Sequence, residues 1–189
     1  MAKQTKLSPR QRQQAIKPLI EDVIPEYLDG DMRTSAMDFV AHLRANKMPP
    51  RWHGLHTWMA NYRGKGICSI VLRVGRGYYG RLGDLPSWLI TPCLTHVHEY
   101  ETLLMNGELR NLLWDNVFYC VHSGRSDSSG EGCNPNKRCA GGRNFTILGK
   151  EFKGLCGCRS LMWVWNPDET AIEGIKRLLE LEQKARAET

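Results

Sequence analysis

The sequence predicts an α+β fold, with antiparallel sheet packed against helices. Three observations carry that expectation. Apolar residues recur at helical spacing near both ends of the chain, over residues 16–27 and 172–179. Between them lie short runs that alternate as strands do, separated by Gly-rich turns. Five of the seven cysteines fall in one polar, glycine-rich stretch, residues 120–158, which is unsuited to building a core.

Ser8-Pro9-Arg10-Gln11 opens a helix: Ser8 caps it, Pro9 suits the first helical position, and Gln11 reaches back to the cap. Ile16, Leu19, Ile20, Val23, Ile24 and Tyr27 give one apolar face, broken by Pro18 and Pro25. Residues 28–32 read as an acidic link, and Ser35 as the cap of a second helix carrying Phe39, Val40 and Leu43 inward. Met48-Pro49-Pro50 ends it, because a residue before proline avoids helical angles.

The central part of the chain reads as sheet. Residues 56–62 and 67–74 read as strands joined by Arg63-Gly64-Lys65-Gly66, and residues 87–91 as a third strand closed by Pro92. Gly75-Arg76-Gly77-Tyr78-Tyr79-Gly80 matches the dinucleotide pattern, but residues 81–86 read as loop. A pyrophosphate site needs those glycines to open a helix, so the match is set aside. Thr95 reads as the cap of a helix through Leu104, broken at Asn106-Gly107 and resumed over 108–114. Residues 117–121, 145–148 and 161–165 read as strands. Asn166-Pro167-Asp168-Glu169 opens the last helix, with Asn166 as its cap, and residues 180–189 are expected to fray. Tyr62-Arg63-Gly64-Lys65-Gly66-Ile67-Cys68 is echoed by Ile147-Leu148-Gly149-Lys150 with Phe152 and Cys156, which suggests a two-fold pseudo-repeat.

Composition sets the frame. The chain has 189 residues, enough for one domain with a full core. Hydrophobic content of 41% and charged content of 24% are ordinary for a globular protein. The expected organisation is an N-terminal helical extension, residues 1–30, and a single α+β domain, residues 31–189. A net charge of +6 permits nucleic acid as a partner, although no dense basic run concentrates it. No apolar run approaches the roughly 20 residues needed to cross a bilayer. The start lacks a signal-peptide pattern, so a cytoplasmic location is expected, where thiols stay reduced.

In that setting the cysteine stretch reads as a metal site. Zn²⁺ takes four ligands at tetrahedral corners, and thiolate suits it well. Cys120 ends a strand, Cys133 and Cys139 flank the turn-forming run 134–138, and Cys156 comes after the second Gly-Lys turn. These four are the expected ligands, with Cys158 and His122 as alternates for a corner. A segment this rich in glycine is costly to order, and a structural Zn²⁺ supplies what packing does not. Free thiols packed like small hydrophobes are the plain alternative, and Cys156-Gly157-Cys158 as a redox dithiol is another.

Other signals point elsewhere. Trp52, Trp58, Tyr62 and Trp88 form the expected ligand-binding surface for a small apolar or aromatic molecule, although tryptophan is also routine core. His96 and His98 with Glu99 offer acid–base or metal chemistry, but at i and i+2 on a helix the two rings point apart. No oligomeric state or catalytic residue is assigned. The expected function is a zinc-stabilised binding module. A nucleic-acid-associated zinc protein using the basic cysteine loop and a thiol-dependent enzyme are the alternatives.

Gly149-Lys150-Glu151-Phe152 with Cys156, then Asn166-Pro167-Asp168-Glu169 and a helix, resembles small bacterial proteins, mainly of anaerobic Firmicutes. Tyr62-Arg63-Gly64-Lys65-Gly66-Ile67-Cys68 with Trp88 resembles the same group. The likeness spans most of residues 36–183. It implies α+β architecture and no particular activity.

Overall fold

The computed structural model describes residues 8–72, 87–105, 107–118, 143–155 and 162–188. Among them the fold is α+β, as the patterning requires: six helices, a five-stranded antiparallel sheet and a separate two-stranded hairpin.

The N-terminus is a broken helix. α1 (Pro9–Ile16) carries the expected capping box: Gln11 N–H donates to Ser8 Oγ, and Ser8 N–H to Gln11 Oε1. Lys17 turns left-handed, and α2 (Ile20–Tyr27) starts afresh after Pro18. Ile20, Val23, Ile24 and Leu28 sit in the same core as the sheet, so residues 20–28 are integral to the domain core. α3 (Gly30–Ala45) begins at an Asp29 cap, six residues before the predicted cap at Ser35. Ser35 lies inside it, and Asp31 sits in the first turn, where its charge suits the helix dipole.

The main sheet runs β1 (Pro50–Gly54), β2 (Thr57–Tyr62), β3 (Lys65–Leu72), β4 (Trp88–Pro92) and β7 (Val164–Trp165), in that order. β1 is a strand that the sequence pattern does not mark. Its Pro50 stands first in an edge strand, where a missing N–H costs least. Register sets one row across all five strands: Trp52, Trp58, Ile70, Ile90 and Val164 are successive partners. α2, α3 and the last helix, α6 (Glu169–Glu188), contribute to the same core as this face. Thr57, Val71, Leu89 and Trp165 form the row on the opposite face. There Trp163 stacks on Phe118 at 3.9 Å, over Val71 and Leu89.

β5 (Arg143–Ile147) and β6 (Lys150–Leu155) form the second hairpin. Its turn repeats that of β2–β3. Arg63 and Gly64 have φ of 47° and 79°, and Leu148 and Gly149 have 50° and 75°. Two positive φ values in succession fit the twist of a tight hairpin, and glycine takes the second without strain. The echo stops at the turn, since β2 and β3 lie within the large sheet while β5 and β6 pair only with each other.

A 3-10 turn over Val97–Glu99 and a short α4 (Glu101–Leu104) lead to α5 (Glu108–Asp115). α6 is capped by Asp168, whose Oδ1 accepts from Ala171 N–H at 2.8 Å, so Asn166 is not the cap. The expected fraying of residues 180–189 is also overturned. α6 runs to Glu188, with Glu182, Ala185 and Arg186 buried. The polar residues that suggested a loose tail are the ones that fasten it.

Candidate functional site

The best-built polar cluster gathers around Glu182, whose side chain is 0% exposed. α6 holds it one turn before Arg186, and the segment after β4 wraps over both. Oε1 accepts from Thr95 N–H at 3.0 Å, Thr95 Oγ1 at 2.8 Å, His96 Nδ1 at 3.0 Å and Arg186 Nε at 2.8 Å. Oε2 accepts from His96 N–H at 3.1 Å and the Tyr100 hydroxyl at 2.8 Å. Arg186 spends its other nitrogens on the Gly66 and Cys93 carbonyls, at 3.0 and 2.7 Å. Six donors on a buried carboxylate replace its hydration, which is what makes burying the charge tolerable.

The electrostatics are set by that count. Burial alone would push Glu182 up. The hydrogen bonds from His96, Arg186, Tyr100 and Thr95 outweigh it and hold the carboxyl down at about 2. Tyr100 moves the opposite way. Burial, then the Glu182 charge, hold its phenol far above the usual range, so it stays a donor. Thr95 therefore does not cap a helix. Its hydroxyl and N–H close this cluster.

His96 and His98 part company. His98 is 71% exposed and stands 4.0 Å from Glu99, while the His96 ring is 22% exposed and engages Glu182. In the sequence both lie near Glu99. The true partner lies 86 residues on, where the polar C-terminal run gives no local signal.

Trp52, Trp58 and Trp88 share one face of the sheet, but that face packs into the core. Trp58 and Trp88 are fully buried, and Phe39 meets Trp88 edge-on at 6.3 Å. Trp58 Nε1 donates to the Pro18 carbonyl at 2.9 Å. Trp52 is half-buried, its Nε1 bonded to Gln13 Oε1 at 3.3 Å, and Tyr62 is half-buried beneath the Arg63 guanidinium. An apolar pocket elsewhere, lined by Pro92, Leu94, Val97, Leu113, Ile147 and Met162, has room for about one water.

The expected metal ligands Cys120, Cys133, Cys139 and Cys156, and the alternates Cys158 and His122, lie outside the described residues. So does the glycine pattern at residues 75–80. Among the described residues no group of three His, Cys, Asp or Glu is placed to hold a metal. The strand pairs that bracket the cysteine stretch are described. Arg143 pairs with Leu155, and Val117 with Met162. Cys68 and Cys93 are free thiols, and burial pushes both up, away from the thiolate form. No helix among the described residues is long and apolar enough to cross a membrane.

No protein family, curated protein or solved structure matches the chain. The reading of this site therefore rests on its own geometry.

Proposed function

We propose that the chain is a zinc-stabilised binding module, with Zn²⁺ held by thiolates of the cysteine stretch. One observation carries the reading. Cys139 lies four residues before Arg143 and Cys156 one residue after Leu155, and those two residues are strand partners. Cys120 lies three residues after Val117 and Cys158 four before Met162, and those are partners too. A chain covers at most about 3.6 Å per residue, so Cys139 and Cys156 lie within about 14 Å of one paired position, and Cys120 and Cys158 within about 14 Å of the other. Cys133 falls between them in sequence. Such tethering lowers the entropy lost on gathering ligands around one ion.

The ligand in this reading is a small apolar or aromatic molecule. Trp52 and Tyr62 retain exposed surface to meet it, while Trp58 and Trp88 support them from the core. A cytoplasmic setting suits the reading, since thiolates there stay free to bind metal.

Elemental analysis of purified chain, with thiol counts before and after chelation, tests the metal. One Zn²⁺ per chain and a rise in titratable thiols on chelation support it; metal-free protein from zinc-replete cells ends it. Tryptophan quenching by an indole series tests the ligand. Trp52→Phe should abolish quenching and Trp58→Phe should not. Salt-sensitive binding of RNA or DNA without quenching would favour the nucleic-acid alternative.

A further inference from the structure

His96 carries chemistry that a zinc-pinned module does not use. Nδ1 stands 3.0 Å from Glu182 Oε1 and 2.9 Å from Thr95 Oγ1. An ionised carboxylate only accepts, so a lone pair on Nδ1 would face another lone pair. Nδ1 therefore bears hydrogen, and in the neutral ring the free lone pair sits on Nε2. Nε2 has no hydrogen-bond partner among the described residues, and it is not among the buried unpartnered atoms. It therefore keeps some exposure, on a side chain that is 22% exposed.

The ring is also fixed. Arg186 and Tyr100 hold Glu182 from α6 and from the foot of α4, and the N–H groups of Thr95 and His96 add two further bonds. A carboxylate that orients an imidazole through Nδ1–H, leaving Nε2 open, is the arrangement by which histidine takes protons. Leu94 and Val97, either side of Thr95 and His96, turn into the small apolar pocket.

We propose that His96 is a proton-accepting site through Nε2, with Glu182 as its positioning residue, for a ligand bearing a hydroxyl or thiol. The ligand's O–H or S–H bond breaks, its electron pair stays on the oxygen or sulfur as the anion, the proton moves to Nε2, and the resulting imidazolium rests against the Glu182 carboxylate. Arg186, Tyr100 and Thr95 are the other polar groups facing this pair. The inference needs no metal and stands apart from the zinc reading.

Diethyl pyrocarbonate tests it on the intact chain. Nε2 attacks a carbonyl carbon of the reagent, ethyl carbonate leaves, and that group takes the Nδ1 proton as it falls to CO₂ and ethanol. Peptide mass spectrometry then gives a rate for each histidine. His96 is expected to react several-fold faster than His98, despite its lower exposure, and Glu182→Gln to remove that advantage while His98 is unchanged. A His96 slower than His98 in the wild-type protein overturns the proposal. Nitrogen chemical shifts from ¹⁵N-histidine-labelled wild-type chain provide a measurement independent of the variant's folding. Nδ1 should be the protonated nitrogen of neutral His96, and an Nε2–H tautomer would likewise overturn the assignment.

Discussion

Arg186 Nε lies 2.8 Å from Glu182 Oε1, one turn along α6, and the two side chains are 6% and 0% exposed. Through this pair the last helix reaches the Gly66 carbonyl in β3 and the Cys93 carbonyl beyond β4. It is the polar lock on the C-terminal half of α6. Taking away one partner of a buried ion pair leaves the other charged and unpaired, at a cost of about 3–5 kcal/mol. Arg186→Met and Glu182→Leu should each lower the urea midpoint strongly with little change in slope. The double variant should lose less than the sum of the two. Additive losses would show that the pair is not coupled.

Much of the fold was legible in local patterns. The Ser8 capping box, the break at Pro18, the alternation of Cys68, Ile70 and Leu72, and both Gly-Lys turns are short-range signals, and the structure keeps them. The candidate site was not. Glu182 and His96 meet across 86 residues, and a charged residue in a polar C-terminal run gives no sign that it is buried. Likewise Asn166 and Asp168 both suit a cap, and only tertiary contact tells which one serves. Trp52, Trp58 and Trp88 share one face of the sheet, but alternation alone does not say that helices cover it.

Acid should loosen the same lock. Glu182 is held at about 2 in the folded chain, below the ordinary carboxylate range near 4.5. A lowered folded value adds stability that is complete above the unfolded pKa and is lost as pH falls from about 4.5 towards 2. The expected size is about 3 kcal/mol, from 1.36 kcal/mol per unit. Urea unfolding of wild type and Glu182→Gln at several pH values checks it. The gap between them should narrow across that window and vanish near its foot. A gap independent of pH would mean that the carboxylate charge contributes nothing.

Asn166 and Trp88 exchange two hydrogen bonds, one through the asparagine side chain. Trp88 N–H donates to Asn166 Oδ1 at 2.9 Å, and Asn166 N–H to the Trp88 carbonyl at 2.9 Å. Asn166 does this at φ of 40°, a conformation that asparagine tolerates better than alanine. Asn166→Gly keeps the backbone and loses one bond, costing about 1 kcal/mol. Asn166→Ala adds strain of about 1 kcal/mol more. Thermal unfolding of the pair should rank alanine below glycine. The reverse order would mean that the left-handed turn is not what the asparagine supplies.

Cys68 separates the core thiols from the cysteine stretch. It is 0% exposed, points with Ile70 and Leu72 into the helix-covered face, and burial pushes its thiol well above the ordinary value. Only thiolate attacks a disulfide reagent, so Cys68 should stay unlabelled until the chain unfolds. Cys93, partly buried and also pushed up, should react slowly. If the stretch binds Zn²⁺ as proposed, chelation should free its thiols without touching Cys68, which is buried in the same core as Trp58, Trp88 and Phe39. Peptide mapping after timed labelling, with and without chelator, reads each cysteine separately. Labelling of Cys68 at the same rate as the others on chelation would mean that a bound metal holds the whole domain together, and not one segment of it.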